Sequence, residues 1–329
     1  MIQGNENSPG RIDVKDNQWL GVSLSAEDKE EGLISACGHR YANNHFFESE
    51  TGFTRNDSYP IGVCYKFKII SDREKDVGKK FPCLDGTVLV DNHTSFSYPE
   101  PSLFTDNSEY ETEYNGYAVA SGHFVGLNDT VQGVAGAPRA KETGKVTIYD
   151  IANKTKYQEI FGEKTNPLKL VQEIQGMQAI GARFGSAISG CGDINNDSFI
   201  DVVIGAPYED DGAGAIYIYL GAKDGVDPHF SQRVSGASLD PPVKTLGISV
   251  HGGVDMDGNL YPDVAVGAYE KDTAFLFKAK PIVDITAWLE INPQSLDPGE
   301  KGCDLSGEMH ACVNLTVCFK FSGVSAHLD

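Results

Sequence analysis

The stretch GDINNDSFIDVVIGAPYEDD, Gly192–Asp211, places Asp193, Asn195, Asp197 and Asp201 at positions 1, 3, 5 and 9 of a short loop and then turns apolar at once. Phe199, at position 7, offers a backbone carbonyl. Hard oxygens crowded onto one loop suit calcium, which takes about six to eight oxygen ligands at roughly 2.3–2.6 Å. The opening is like an EF-hand loop, but the remainder is not. That loop needs Gly at position 6 and a bidentate Glu at position 12, between two helices. Here those positions hold Ser198 and Ile204, and VVIGAP is a β-branched run closed by Gly and Pro, the pattern of a strand entering a turn. The reading is a calcium loop between strands, closed by the position-9 carboxylate. The plainer alternative is an Asx-rich turn that holds only its own backbone.

A second copy favours the metal. VDMDGNLYPDVAVGAY sets Asp255, Asp257, Asn259 and Asp263 at the same four positions, with Tyr261 at position 7. Asp193 to Asp255, Gly185 to Gly247 and Gly205 to Gly267 are each 62 residues apart. One period in three landmarks is an internal duplication, and such periods mark propellers, solenoids or arrays. A third copy, YNGYAVASGHFVGLNDTVQGVAGAPRA, keeps the glycines Gly116 and Gly136 but puts Phe124, Gly126, Asn128 and Gln132 at the ligand positions, so it is expected to bind no ion. A fourth, more worn copy runs from Trp19-Leu20-Gly21 to LISACGHRY, where Cys37-Gly38-His39 stands in place of Gly-Ala-Pro. After each turn comes a further strand pattern, GKVTIYDI, GAIYIYLG or TAFLFKA, in which aromatic and β-branched residues alternate. No long helical period is present. Units of about 60 residues built from several short strands and Gly-rich turns read as β-propeller blades of roughly four strands.

The bulk properties narrow the function classes. A net charge of −20 over 329 residues disfavours nucleic acid and anionic membranes as direct partners. The apolar runs are only strand-length, so no transmembrane helix is expected within this chain, and MIQGNENSPG lacks the apolar core of a signal peptide. The seven cysteines form no zinc-type C-x-x-C pair, and the eight histidines are scattered. Sequons stand at Asn56, Asn92, Asn128, Asn153, Asn196 and Asn314, and the one inside the first Asp-rich loop is not expected to carry a glycan.

The Phe-Gly … Gly-Ala-Pro repeat enclosing Asp-x-Asn-x-Asp-x-x-x-Asp resembles the FG-GAP repeat of integrin alpha subunits. SACGHRY, ASGHF, APYEDDGAGAIYIYLGAKDG with FSQRVSG, and KPIVDITAWLEI followed by CDLSGEMHACVNLTVCF resemble the alpha-four/alpha-nine class of that family, in family order across most of Gly10–Asp329. The resemblance implies an all-β fold: residues 1–280 as the FG-GAP β-propeller head, and residues 281–329 as the first strands of the Ig-like thigh β-sandwich. It implies two structural calcium ions on the two Asp-rich loops, and Cys37–Cys64 and Cys303–Cys312 disulfides. By family, Cys318 pairs further along, Cys83 pairs within a segment not found here, and Cys191 is extra.

The resemblance also exposes a shortfall. Gly21 to Gly116 is 95 residues, too many for one blade and too few for two; a further loss is expected near Lys164–Leu168, and the family's first blade has no counterpart. About four of seven blades are present, so the family's ring is not expected to close with its usual curvature. Function by family is that of a cell-adhesion receptor subunit, not an enzyme. It pairs with an integrin beta subunit on the extracellular side of the plasma membrane, binds matrix or cell-surface ligands, and signals through a single-pass anchor. The loops after Gly-Ala-Pro, including His39, Arg40, Tyr41, Arg139 and Tyr208–Asp211, are expected on the face that meets beta subunit and ligand, opposite the metals. Rival readings are a secreted calcium-dependent glycan-binding propeller and the propeller of an FG-GAP hydrolase such as a lipid-anchor phospholipase. The thigh-like segment weighs against both.

Overall fold

The computed structural model describes residues 13–14, 18–26, 33–48, 54–60, 62–68, 78–80, 114–124, 131–150, 169–223 and 225–323. Cys83, Gly126, Asn128, the segment Lys164–Leu168 and the sequons at Asn92 and Asn153 lie outside the described residues. The chain divides into two compact units, residues 1–257 with 261–279, and residues 258–260 with 280–329.

The first unit is a series of small antiparallel sheets. Its strands begin with β1 (Asp13–Val14), β2 (Ser23–Ala26), β3 (Leu33–Gly38), β4 (Ala42–Glu48), β5 (Thr54–Pro60), β6 (Val63–Lys68) and β7 (Gly78–Lys80). The order β2-β3-β6-β7 makes one four-stranded sheet, and β1-β4-β5 makes a separate three-stranded one. A second four-stranded sheet joins β8 (Val119–Gly122), β9 (Gln132–Ala137), β10 (Lys145–Asp150) and β11 (Lys169–Ile174). A third joins β12 (Ala187–Gly190), β13 (Val202–Ala206), β14 (Ala215–Tyr219) and β15 (Gln232–Ser235). The last is three-stranded: β16 (Leu246–Val254), β17 (Asp263–Ala268) and β18 (Thr273–Phe277). The sheets β8–β11, β12–β15 and β16–β18 are meanders, each one repeat of the sequence, while in the first repeat β4 and β5 leave the run between β3 and β6 to pair with β1; the four repeats read from the glycines are four blades.

The strands follow from their side chains. In β13 all five residues, Val-Val-Ile-Gly-Ala, are buried. Its period of two sends Val202, Ile204 and Ala206 into the core shared with the second blade, and Val203 into the core shared with the fourth. A strand sandwiched between blades on both faces must be continuously apolar, and this one is. The incoming residues are equally regular. Phe184 and Ile188 enter the second-to-third core, and Leu246 and Val250 the third-to-fourth. Fully burying one such side chain stabilises by about 1.5–3 kcal/mol.

Glycine sets how closely the blades approach. A Cβ on Gly136 would lie 2.0 Å from the Gly185 carbonyl oxygen of the next blade; a Cβ on Gly205 would lie 2.0 Å from that of Gly247. Gly185 and Gly247 both have φ of +88°, a conformation that turns their carbonyls toward the preceding blade at no steric cost. At the first junction Cys37 takes the place of the turn glycine. It is disulfide-bonded to Cys64, its cross-strand neighbour, and a Cβ on Gly116 would lie 2.8 Å from the Cys37 Cβ. Cys37, Cys64, Val119, Val131, Ala135 and Tyr149 form the core there.

In the second unit, β19 (Asp284–Asn292) pairs with β22 (Asn314–Ser322) over nine residues. Ile285/Phe321, Ala287/Phe319, Leu289/Val317 and Ile291/Leu315 face each other on one side, and Thr286/Lys320 and Glu290/Thr316 on the other. A short hairpin of β20 (Cys303–Leu305) and β21 (Glu308–His310) turns at Ser306-Gly307, both at positive φ. The Cys303–Cys312 disulfide brackets it. Both expected disulfides are thus present, while Cys191 is buried with a free thiol and Cys318 is also unpaired.

Gly205→Ala is expected to lower stability by about 1–3 kcal/mol, because the new methyl meets backbone rather than a yielding side chain. Denaturant unfolding of wild type and variant checks this, and an unchanged midpoint would show that the close glycine contact is not a constraint.

Candidate metal centres

The two Asp-rich loops share one backbone. Position 4 is left-handed in both, Asn196 at φ 59° and Gly258 at φ 78°, and so is position 6, Ser198 at φ 76° and Leu260 at φ 75°. Non-glycine residues held there cost on the order of 1–3 kcal/mol each, so something in the loop must hold them.

Part of the answer is the position-9 aspartate, which stands at the mouth of the strand in each copy. Asp201 accepts hydrogen bonds from Ile194 N at 2.7 Å and from Gly221 N at 2.8 Å. Asp263 accepts from Met256 N at 2.9 Å and from Ala279 N at 2.9 Å. Both aspartates are buried. Each ties position 2 of its loop to the end of the second following strand, and its oxygens keep lone pairs to spare, since an ionised carboxylate has about four acceptor sites.

In the first loop, Asp193 accepts from Asp197 N at 2.9 Å and Ser198 N at 2.7 Å, and Asp197 accepts from Phe199 N at 2.9 Å. Asn195 donates its amide to Asp197 at 2.9 Å, while its Oδ1 is buried without a hydrogen-bond partner. A buried carbonyl oxygen with no donor is the residue a cation would complete. Burial, against the two backbone hydrogen bonds and with the nearby charges of Asp197 and Asp193, pushes the Asp201 carboxyl up to about 6.

The second loop draws its carboxylates closer. Asp255, Asp257 and Asp263 each bring a carboxylate oxygen to within 4.8 Å of the others. Lys278 Nζ lies 3.4 Å from Asp257. Of the sequence-expected ligands, Phe199 is partly buried and Tyr261 fully so, each beside its loop's closing strand.

The far end of β13 carries a different chemistry that the sequence did not disclose. Glu209 is buried, 2% exposed, and accepts from Tyr217 Oη at 2.6 Å and from Arg233 Nη2 at 2.5 Å. Arg233 also reaches Asp210 at 2.6 Å, and the Ser235 hydroxyl bonds the same carboxylate. Ser235 and then Arg233 hold Asp210 below the usual carboxylate range, while burial and then Glu209 raise Tyr217. This corrects the expectation that Tyr208–Asp211 all lie on an accessible face: Glu209 is inside, neutralising an arginine from the outermost strand of the same blade. His39 and Tyr41 are likewise buried, with His39 edge-on to Trp19, Tyr114 and Tyr117 at 5.2–5.6 Å. Arg139, Asp210 and Asp211 are exposed. Arg40, Arg139 and Arg183 lie over Trp19, Tyr114 and Tyr208 at 5.1, 4.9 and 4.7 Å. The sequence cue for Arg233 was its place in FSQRVSG, but only the β14–β15 register sets it beside Tyr217.

Removing Arg233 would leave Glu209 charged and buried with only a phenol for company. Arg233→Ala is therefore expected to cost about 3–5 kcal/mol, measured by thermal or denaturant unfolding. A loss of under about 1 kcal/mol, the range of an exposed pair, would show that the network is only superficial.

Residues 184–219 match the FG-GAP repeat, and residues 279–329 match the integrin alpha Ig-like domain 1. The chain is 32% identical to integrin alpha-4 of Xenopus laevis across 94% of its own length and 37% of the relative's. It is 30% identical to integrin alpha-V of Gallus gallus across 95% and 38%, and 38% identical to integrin alpha pat-2 of Caenorhabditis elegans across 95% and 33%. It thus spans less than two fifths of these relatives. The alpha-4 alignment runs over 393 positions against 329 residues in the chain, so that relative has stretches with no counterpart here. Four glycine-locked blades, the matched repeat, the matched Ig-like segment and this similarity along nearly the whole sequence converge: the chain belongs to the integrin alpha family.

Proposed function

We propose that this chain is a calcium-binding propeller region of a cell-adhesion receptor alpha subunit, with residues 1–280 as propeller and 281–329 opening the thigh sandwich. The observation that carries the reading is the pair of matched Asp-rich loops set into FG-GAP blades. Asp193, Asn195, Asp197, Asp201 and the Phe199 carbonyl would hold one ion. Asp255, Asp257, Asn259, Asp263 and the Tyr261 carbonyl would hold the other. Three carboxylates per loop without a cation repel one another; calcium, a hard ion of flexible coordination, would neutralise them and fasten positions 4 and 6. Its role is structural: it would stiffen the end of each blade opposite the turns that carry Arg139, Asp210 and Asp211. Those turns are the side proposed to face an integrin beta subunit and an extracellular ligand, in a receptor held at the outer surface of the plasma membrane. The role is binding and adhesion, not catalysis.

Calorimetric titration is expected to give two calcium ions per chain, and EDTA to lower the melting temperature. Absence of binding, or a melt indifferent to EDTA, would refute the metal reading. The effect has a pH signature. The Asp201 carboxyl titrates near 6 when folded against 3.8 in its ordinary state. A raised carboxyl pKa contributes stability that is present below pH 3.8 and lost as pH rises through 6. Calcium offsets that loss, so the gap in melting temperature between calcium and EDTA should widen from about pH 5 to 7.

The receptor reading is tested by a chimaera. Residues 183–280 of this chain replace the corresponding segment of an integrin alpha subunit, which is co-expressed with a beta subunit. Calcium-dependent pairing and surface delivery are expected. A folded chimaera that never pairs would overturn the assignment.

A further inference from the structure

Asn314-Leu315-Thr316 opens β22 as an Asn-x-Thr sequence without proline, the acceptor pattern for an N-linked oligosaccharide. The period of two along a strand puts Asn314 and Thr316 on the same side of β22. Across from them on β19 stand Asn292 and Glu290, and farther along that side come the pairs Trp288/Cys318 and Thr286/Lys320. Trp288 turns its indole N–H to the Glu290 carboxylate at 3.1 Å. The opposite side carries Ile285, Leu289, Ile291, Leu315, Val317, Phe319 and Phe321. Amide, hydroxyl, carboxylate and ammonium groups cost free energy when they leave water without partners, so the Asn314 side is the one that stays in solvent.

The acceptor groups themselves are open. Asn314 and Thr316 are both exposed, and among the described residues neither side chain makes a hydrogen bond. The sequon in the first Asp-rich loop is the contrast. Asn196 is held left-handed at φ 59°, and the N–H groups of Asp197 and Ser198 are committed to Asp193 at 2.9 and 2.7 Å. A carboxylate also stands between that Asn and its Ser. Asn314 carries none of these constraints.

We infer that Asn314 bears an N-linked oligosaccharide and that this glycan keeps the polar side of the β19–β22 pair in solvent, an inference that rests on the extracellular placement proposed above. The donor is an oligosaccharide carried on a lipid pyrophosphate in the secretory membrane. The Asn314 Nδ2 forms a C–N bond to the anomeric carbon of the sugar and gives up one proton. The C–O bond to the pyrophosphate breaks, and the pyrophosphate leaves with the electron pair. The Thr316 hydroxyl is the second group that the transferase reads. A glycan is bulky and solubilising. Placed here it closes the polar side to protein partners and leaves the apolar side as the one that packs.

The test expresses the whole 329-residue chain behind a cleavable secretion leader, which delivers it to the secretory pathway whatever its natural location. Occupancy is thus read separately from the placement. Enzymatic release of N-glycans in heavy-oxygen water converts an occupied Asn to an isotope-marked Asp, and peptide mapping of cell-associated and secreted chains locates the mark. Asn314 is expected to be marked in most molecules whose leader has been cleaved. Asn314→Gln and Thr316→Ala should each remove one glycan step from the gel mobility, with the Cys303–Cys312 disulfide still formed. Thr316→Ser should keep the step. Leader-cleaved chains with Asn314 unmarked, or a glycan step indifferent to Asn314→Gln and Thr316→Ala, would overturn the inference.

Discussion

Consecutive blades are held at a separation that only a hydrogen atom permits. A carbonyl oxygen from the positive-φ glycine of one blade occupies the place where a Cβ would stand on the turn glycine of the blade before it. That distance dictates the remainder. It brings the residues flanking the first glycine deep enough to be buried, so Phe184, Ile188, Leu246 and Val250 become core. It also leaves the middle strands no solvent face, which is why β9 and β13 are buried throughout. Where the turn glycine is replaced, as at Cys37, the disulfide to Cys64 rather than a bare backbone fills the junction, and the facing Gly116 yields the room.

The polar chemistry is distributed around this apolar stack according to strand ends. At one end of β13, Asp201 is buried and its two oxygens gather backbone N–H groups from separated parts of the blade. At the other, Glu209 is buried and answered by Tyr217 and Arg233. The two carboxylates differ in what balances them. Glu209 has a guanidinium beside it, whereas among the described residues Asp201 has backbone dipoles and two further aspartates nearby, and burial there holds its carboxyl up at about 6. The second loop keeps the Asp263 brace and adds Lys278 beside Asp257.

The fourth blade shows what happens when the stack ends. Val264, Val266 and Ala268 on one face of β17 are buried in the same manner as β13, while Ala265 on the other is exposed. The pair β19–β22 differs in having no buried face, and one of its sides is a continuous apolar surface formed by Ile285, Leu289, Ile291, Leu315, Val317, Phe319 and Phe321, all 41–67% exposed. In both places alternation of apolar residues reports a surface built to be covered.

Much of this was legible in the residues. The 62-residue period, the Gly and Gly-Ala-Pro landmarks and the alternating strands gave four blades, because glycine and period-two burial are local demands that each strand must meet by itself. The oxygen spacing of the two loops was legible for the same reason: positions 1, 3, 5 and 9 converge on a turn that is closed within nine residues. Local pattern could not say that Glu209, His39 and Tyr41 are buried, since in the sequence they stand in polar turns. Glu209 is internal only because the β14–β15 register carries Arg233 to it from 24 residues away, and His39 only because Tyr114 and Tyr117 of the next blade fold over it. Nor could the sequence show that each turn glycine meets the following blade's carbonyl. That contact joins residues 42–49 positions apart, and its length is a property of two packed sheets rather than of either one.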